Sequence, residues 1–185
     1  MIKIYYTGAT KHDLVQNQPF ESLGGTVSTS VVPNSRTNSL FGQAPRLPDL
    51  GMENEYIGIV IENNTGSDIS SLNIHIDKSA NNTCEFDFCI VSVNEYEDCP
   101  GVFYIEQIPD KHSKPMVGNF NEYSSLDPAE VEDFLKDMKL GIWIRRKCEG
   151  NPQDSCEKLM ELNNADDTIT EIQEYLEEFS LVFEY

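Results

Sequence analysis

The chain has 185 residues, with 13 Lys and Arg against 32 Asp and Glu and a formal charge of -19. That length suits one well-packed domain with appendages. The charge excludes binding to nucleic acid by phosphate neutralisation, which needs clustered bases. The only basic cluster is Arg145, Arg146 and Lys147, and the acids crowd the second half: residues 1–94 carry 10 acids and 5 bases, residues 95–185 carry 22 and 8. A surface of this sign keeps the chain soluble, and it also lets DNA slide past without sticking. Five cysteines, Cys84, Cys89, Cys99, Cys148 and Cys156, leave at least one unpaired within the chain. With no CxxC pair and no zinc-finger spacing to His12, His75 or His112, they are expected as free thiols in a reducing compartment. No signal-type apolar core follows Met1 and no apolar run reaches membrane-span length. The expectation is a chain made in the cytoplasm, with no membrane partner.

In chain order, Ile2, Ile4 and Tyr6 alternate with Lys3 and Tyr5, the period of a half-buried strand. From Gly8 to Phe20 the sequence is polar and without period. The segment Ser22 to Gly42, SLGGTVSTSVVPNSRTNSLFG, reads as a connector. Gly24 and Gly25 permit unusual backbone angles, Val27 to Val32 is an extended composition, Pro33 and Asn34 turn the chain, and Leu40 and Phe41 form a hydrophobic plug. Nothing in it can act as general acid, general base or metal ligand. With Pro45 and Pro48 following, residues 1–55 are expected as an N-terminal strand and an extended connector arm reaching a neighbouring subunit.

The core is expected over residues 56–185. YIGIVIEN, from Tyr56, is apolar on both faces and reads as a buried central strand ended by the turn Asn63–Gly66. That turn lacks the acid spacing of a calcium loop. Leu72, Ile74 and Ile76 alternate with Asn73, His75 and Asp77, which places His75 outward as an ordinary surface residue. In CEFDFCIVSVN the apolar weight moves from Cys84, Phe86, Phe88 and Ile90 to Cys89, Val91 and Val93, as a bulge or a change of partner sheet near Cys89 would cause. Gly101 to Pro109 is a further strand. Asp127, Pro128 and Glu130 form a helix start, with Val131, Phe134, Leu135 and Met138 on one face, predicting a helix from Pro128 to Met138. LGIWIRR is a strand with Leu140, Ile142 and Ile144 opposite Gly141, Trp143 and Arg145. Short helices are predicted over 154–162 and 168–176, and Phe179 to Tyr185 closes the chain as a strand.

The sequence holds no nucleophile elbow, phosphate loop, dinucleotide fingerprint or HExxH helix, and abundant acids alone do not make an acid–base pair. The chain is therefore expected to be non-enzymatic, with no catalytic residue, cofactor or metal. Trp143 suits core packing, or an anchor at a subunit contact together with Arg145 and Arg146, whose charges could meet acids of a neighbouring copy head to tail and close a ring. The expected interface residues are Gly24, Gly25, Val27, Val31, Pro33, Leu40, Phe41, Trp143, Arg145 and Arg146.

The blocks IKIYYTGA, SLGGTVSTSVVPNSRTNSLFG, EYIGIVIENNTG, LGIWIRR and FSLVFEY together resemble virion structural proteins of crAss-like and related Bacteroidetes tailed phages. The cysteines and the acidic stretch from 149 to 178 depart from that pattern. The resemblance implies a mainly-β fold, an immunoglobulin-like or jelly-roll-like β-sandwich with short helical insertions and an extended N-terminal arm. It implies a non-enzymatic ring or adaptor protein of the head-to-tail connector, located in the virion and made in the host cytoplasm. Its partners would be further copies of itself and other virion proteins, portal, ring or tail. Contact with the passing genome would be repulsive, with some of Glu171, Glu174, Glu177 and Glu178 facing the passage; the rival is that these acids face solvent and serve only solubility. A capsid decoration or head-fibre-base protein is the nearest alternative. A carbohydrate- or receptor-binding sandwich, stacking sugars on Tyr96, Tyr104 and Tyr123, is the alternative of another class.

Overall fold

The computed structural model describes residues 1–33, 40–41, 53–78, 84–148 and 179–185. In chain order these form β1 (Ile2–Ala9), a 3-10 turn (Pro19–Glu21), β2 (Gly25–Val31), β3 (Glu53–Asn63), β4 (Ile69–Lys78) and β5 (Cys84–Ser92). After them come β6 (Asn94–Tyr96), β7 (Cys99–Ile105), β8 (Ala129–Phe134), β9 (Lys139–Cys148) and β10 (Phe179–Glu184). A seven-stranded antiparallel sheet runs β5-β9-β3-β1-β2-β7-β6, and a three-stranded one runs β10-β4-β8. The chain is mainly β, a sandwich in which the larger sheet curls.

The apolar run of β3 puts it at the centre, between β9 and β1. Its odd residues Ile57, Ile59 and Ile61 join Ile142 and Ile144 of β9 and Phe86 and Phe88 of β5. These pack against Leu72, Ile74 and Ile76 of β4, with Phe134, to form the core between the sheets. Its even residues Tyr56 and Val60 join Trp143, Cys89, Val27 and Ile105 in a second core, which lies inside the curl. Ile105 is on β7, three places from β3 and four from β9. In a flat sheet those strands would stand about 14 and 19 Å away. Yet a Cβ placed on Gly58 would lie 2.9 Å from Ile105 Cδ1, and one on Gly141 2.8 Å from Ile105 Cγ2. Curling brings β7 across, and the two glycines leave the room.

Several expectations change. The described part of the N-terminal region is sheet rather than arm, because β1 pairs with β3 and β2 pairs with both β1 and β7. A division at residue 55 therefore falls within β3. The segment Pro128–Met138 holds a strand, β8, in place of a helix. Ala129 and Val131 alternate with exposed Glu130 and Glu132, and β8 pairs with β4 from Ile69↔Phe134 to Ile74↔Ala129. Asp133 takes φ 51, and past this irregularity Phe134 turns fully into the core. The register of β5 on β9 is regular from Cys84 to Ser92, so no bulge sits near Cys89. Apolar weight changes face there because both faces of β5 are covered, one by each core. His75, directly opposite Val182 of β10, is buried at 2% exposure, although Ser71 and Asn73 on the same face are part-exposed and Asp77 is exposed. The helices expected over 154–162 and 168–176 lie outside the described residues.

Candidate functional site

The residues expected at a subunit contact are mostly spent inside the chain. The connector starts tied to β3: Ser22 Oγ donates to Gly58 O at 2.7 Å and Gly58 N donates to Ser22 O at 2.8 Å. Thr7 Oγ1 also donates to Gly58 O, at 2.8 Å, and accepts from Gly24 N at 3.0 Å. Gly24, at φ 78, has no space for a side chain: a Cβ there would fall 1.8 Å from Glu106 O and 2.9 Å from Trp143 Cζ2. Gly25, at φ 76, faces Gln107, Val27 is buried in the inner core, and Val31 is part-exposed opposite Tyr5. Pro33 ends this described stretch. The plug is filled by its own chain: Leu40 packs on the core between the sheets, and Phe41 is buried there 5.9 Å from Phe86 and 6.1 Å from Phe179. Trp143 is fully buried, so it is a core residue rather than a subunit anchor.

Arg145, Arg146 and Lys147 also turn inward electrostatically. Arg146, 2% exposed, donates through Nε to Glu55 Oε2 at 2.8 Å and through Nη2 to the same carboxylate, with its guanidinium 5.0 Å from the Phe41 ring. Lys111 is the second cation on Glu55. Burial pushes the Glu55 carboxyl up, but the hydrogen bonds from Lys111 and Arg146 outweigh it and hold it below the usual range. On the opposite face, Arg145 Nε donates to Asp87 Oδ1 at 2.8 Å and Lys147 Nζ lies 2.9 Å from Asp87 Oδ2. Alternation along β9 explains the split, with Arg146 on the face of Ile144 and Arg145 on that of Trp143. Within the chain, each of the three bases is matched to an acid. Glu55, Asp87 and Lys111 are the partners the sequence reading missed. The signal was present, since a charge inside a strand apolar on both faces must find a partner when buried.

Outer surfaces offer more to a partner. Met116 is 91% exposed and Leu126 96%, with Leu135 half-exposed. Among the described residues β8 and β10 are the outer strands of the small sheet, and β5 and β6 those of the large one; β5 is bridged at Phe88 by Asn121. Of the three tyrosines considered for sugar stacking, Tyr123 packs on Phe88 at 4.8 Å, and Tyr96 and Tyr104 stack on each other at 4.3 Å. Tyr104 borders a surface depression also lined by Ile90, Val91, Ser92, Asn94, Glu106, Val117 and Gly118.

Cysteine chemistry differs from expectation as well. Cys84 is disulfide-bonded, and its backbone lies directly opposite that of Cys148. Cys89 and Cys99 are free thiols, and burial pushes the Cys89 thiol up to about 11. Cys156 and the four glutamates expected to face a genome passage lie outside the described residues. No family model, no curated protein and no solved structure matches the chain.

Proposed function

We propose that the chain is a non-enzymatic structural component of a tailed-phage virion, a ring or adaptor protein of the head-to-tail connector that assembles with further copies of itself through its sheet edges. The observation that carries the assembly role is the edge of the small sheet. Strand β8 has no neighbour on its outer side among the described residues, and exposed Leu126 and Leu135 flank it. An unpaired edge strand is a template for strand addition, and apolar side chains beside it add burial on contact.

Other features support the same reading. Blocks that carry the resemblance fall on β9, β3, β1 and β2, which stand side by side in the sheet, and on β10. The perturbed carboxylates Glu55 and Glu62 are each held by a Lys or Arg, an arrangement that fixes strands rather than moves protons. A disulfide at Cys84 suits a chain that ends in an oxidising environment, as virion surfaces are.

The native mass of the purified chain tests the assembly role. A single closed oligomer, a whole multiple of 21.0 kDa, is expected. Leu126→Glu combined with Leu135→Glu should leave the chain folded, since both sites are exposed, and should shift the mass to the monomer. A wild-type monomer at concentrations of about 100 µM, where an affinity of micromolar order would already populate the assembly, contradicts self-assembly.

A further inference from the structure

We infer that the depression beside Tyr104 is a binding site for a neutral saccharide residue. Tyr104 and Asn94 are direct cross-strand partners on β7 and β6, so their side chains share one face. Tyr96 backs the Tyr104 ring at 4.3 Å, and Lys11 Nζ stands 4.0 Å from the Tyr96 centroid, so the aromatic wall is fixed by a stack of three groups. Thr26 Oγ1, 3.1 Å from the Tyr96 hydroxyl, pins it further. Two residues along from Tyr104, Glu106 also lines the depression and is held in place: its carboxylate accepts from Met116 N at 2.8 and 3.0 Å and from Val117 N at 3.2 Å. Oε2 takes two of these bonds and Oε1 one, so Oε1 keeps an acceptor direction for a ligand.

The chemistry of these groups selects the ligand class. The side chains of Ser92 and Asn94 and the Tyr104 hydroxyl border the same depression as Glu106, and the remaining lining is apolar. A sugar ring needs this mixture: an aromatic and aliphatic surface for its C–H face, and neighbouring groups that both donate and accept for its hydroxyls. A metal ion would need several oxygen anions, and Glu106 is the one carboxylate in the lining. An acidic ligand would meet Glu106 and a chain of charge -19. The neutral saccharide is the class that satisfies all of the groups present. Were the chain assembled in copies, the sites would repeat around the oligomer, and weak single-site binding would gain from multivalency on a glycan-coated surface.

Saturation-transfer NMR on the full chain tests the site, with glucose, galactose and N-acetylglucosamine as probes and glucuronate and galacturonate as acidic controls. At least one neutral sugar is expected to show transfer. Asn94→Ala, an exposed change that leaves the fold intact, should weaken it about five- to tenfold, the loss of one hydrogen-bonding group. Tyr104→Leu should abolish it. The uronates should give less transfer than their neutral counterparts. Transfer from neutral sugars that is absent, or equal in the wild type and Asn94→Ala, overturns the site; uronates that bind as well as neutral sugars overturn the assigned ligand class.

Discussion

Gly24 and Gly66 both hold a positive φ, 78 and 94, but only Gly24 is also enclosed. Gly24→Ala must move Glu106 backbone or the Trp143 ring, and a loss of about 3 kcal/mol or more in urea unfolding is expected, as for overpacking combined with a strained backbone. Gly66→Ala meets nothing within 4 Å and should cost only about 1 kcal/mol, from the backbone angle alone. Equal effects at the two positions would show that the contact with Trp143 is not what Gly24 provides. The thiols divide in the same residue-by-residue way. With its pKa near 11, Cys89 carries about one thiolate in a thousand at pH 8. Iodoacetamide is therefore expected to modify part-exposed Cys99 first, Cys89 only on unfolding, and Cys84 only after reduction; mass mapping of the modified peptides checks the order. At this scale the sequence revealed little, because which acid meets Arg146 depends on the pairing of β3 with β9, Glu55 opposite Arg146, across 91 positions of chain.

Strand pairing also decides how the fold responds to acid. Glu55 is bound by Lys111 and Arg146, and Glu62 by Lys139 and the Tyr5 hydroxyl; in both, the bonds outweigh the effect of burial and the folded pKa lies below the unfolded value. Their stabilisation is present above the unfolded carboxyl pKa of about 4.3 and is lost as pH falls through the lower folded values. The urea midpoint is expected to drop between about pH 5 and pH 3, and Glu55→Gln should flatten that drop while lowering stability at pH 7. A midpoint constant over that window would contradict the ion-pair assignment. The strands with a clean two-residue period, β1, β4 and β10, and the two-sided apolar runs β3 and β9 were legible in the sequence. Strand β8 was not, because Asp127-Pro128 and the spacing of Val131, Phe134, Leu135 and Met138 imitate a helix. The left-handed Asp133 places Phe134 off the alternation that would have betrayed a strand. His75 was misplaced because alternation reports which face a side chain takes and not how deeply its neighbours cover it: Ser71 and Asn73 on that face are part-exposed and Asp77 is exposed, while His75 is buried.

For the whole molecule, the curl of the large sheet gathers β7 over β3 and β9 and so turns one sheet into a body with two cores. A period of two along each strand does not encode that curl; it rests on glycines 58 and 141 meeting Ile105 from strands far apart in the sheet. The connector likewise looked unattached because its anchors, Thr7 and Gly58, lie 15 and 36 residues from Ser22 and are recognisable only once β1 and β3 pair. Among the described residues, β8 with Leu126 and Leu135 and the Tyr104 depression face outward. The proposed role is that of a building block of the head-to-tail connector. The most direct test is an averaged density map of that junction in purified virions, with peptide mass mapping of the same particles. The account predicts peptides of this chain in the particle and its curled seven-stranded sheet repeated around the tail axis. Particles that lack the chain, or a junction whose density is fully accounted for by other proteins, would contradict it.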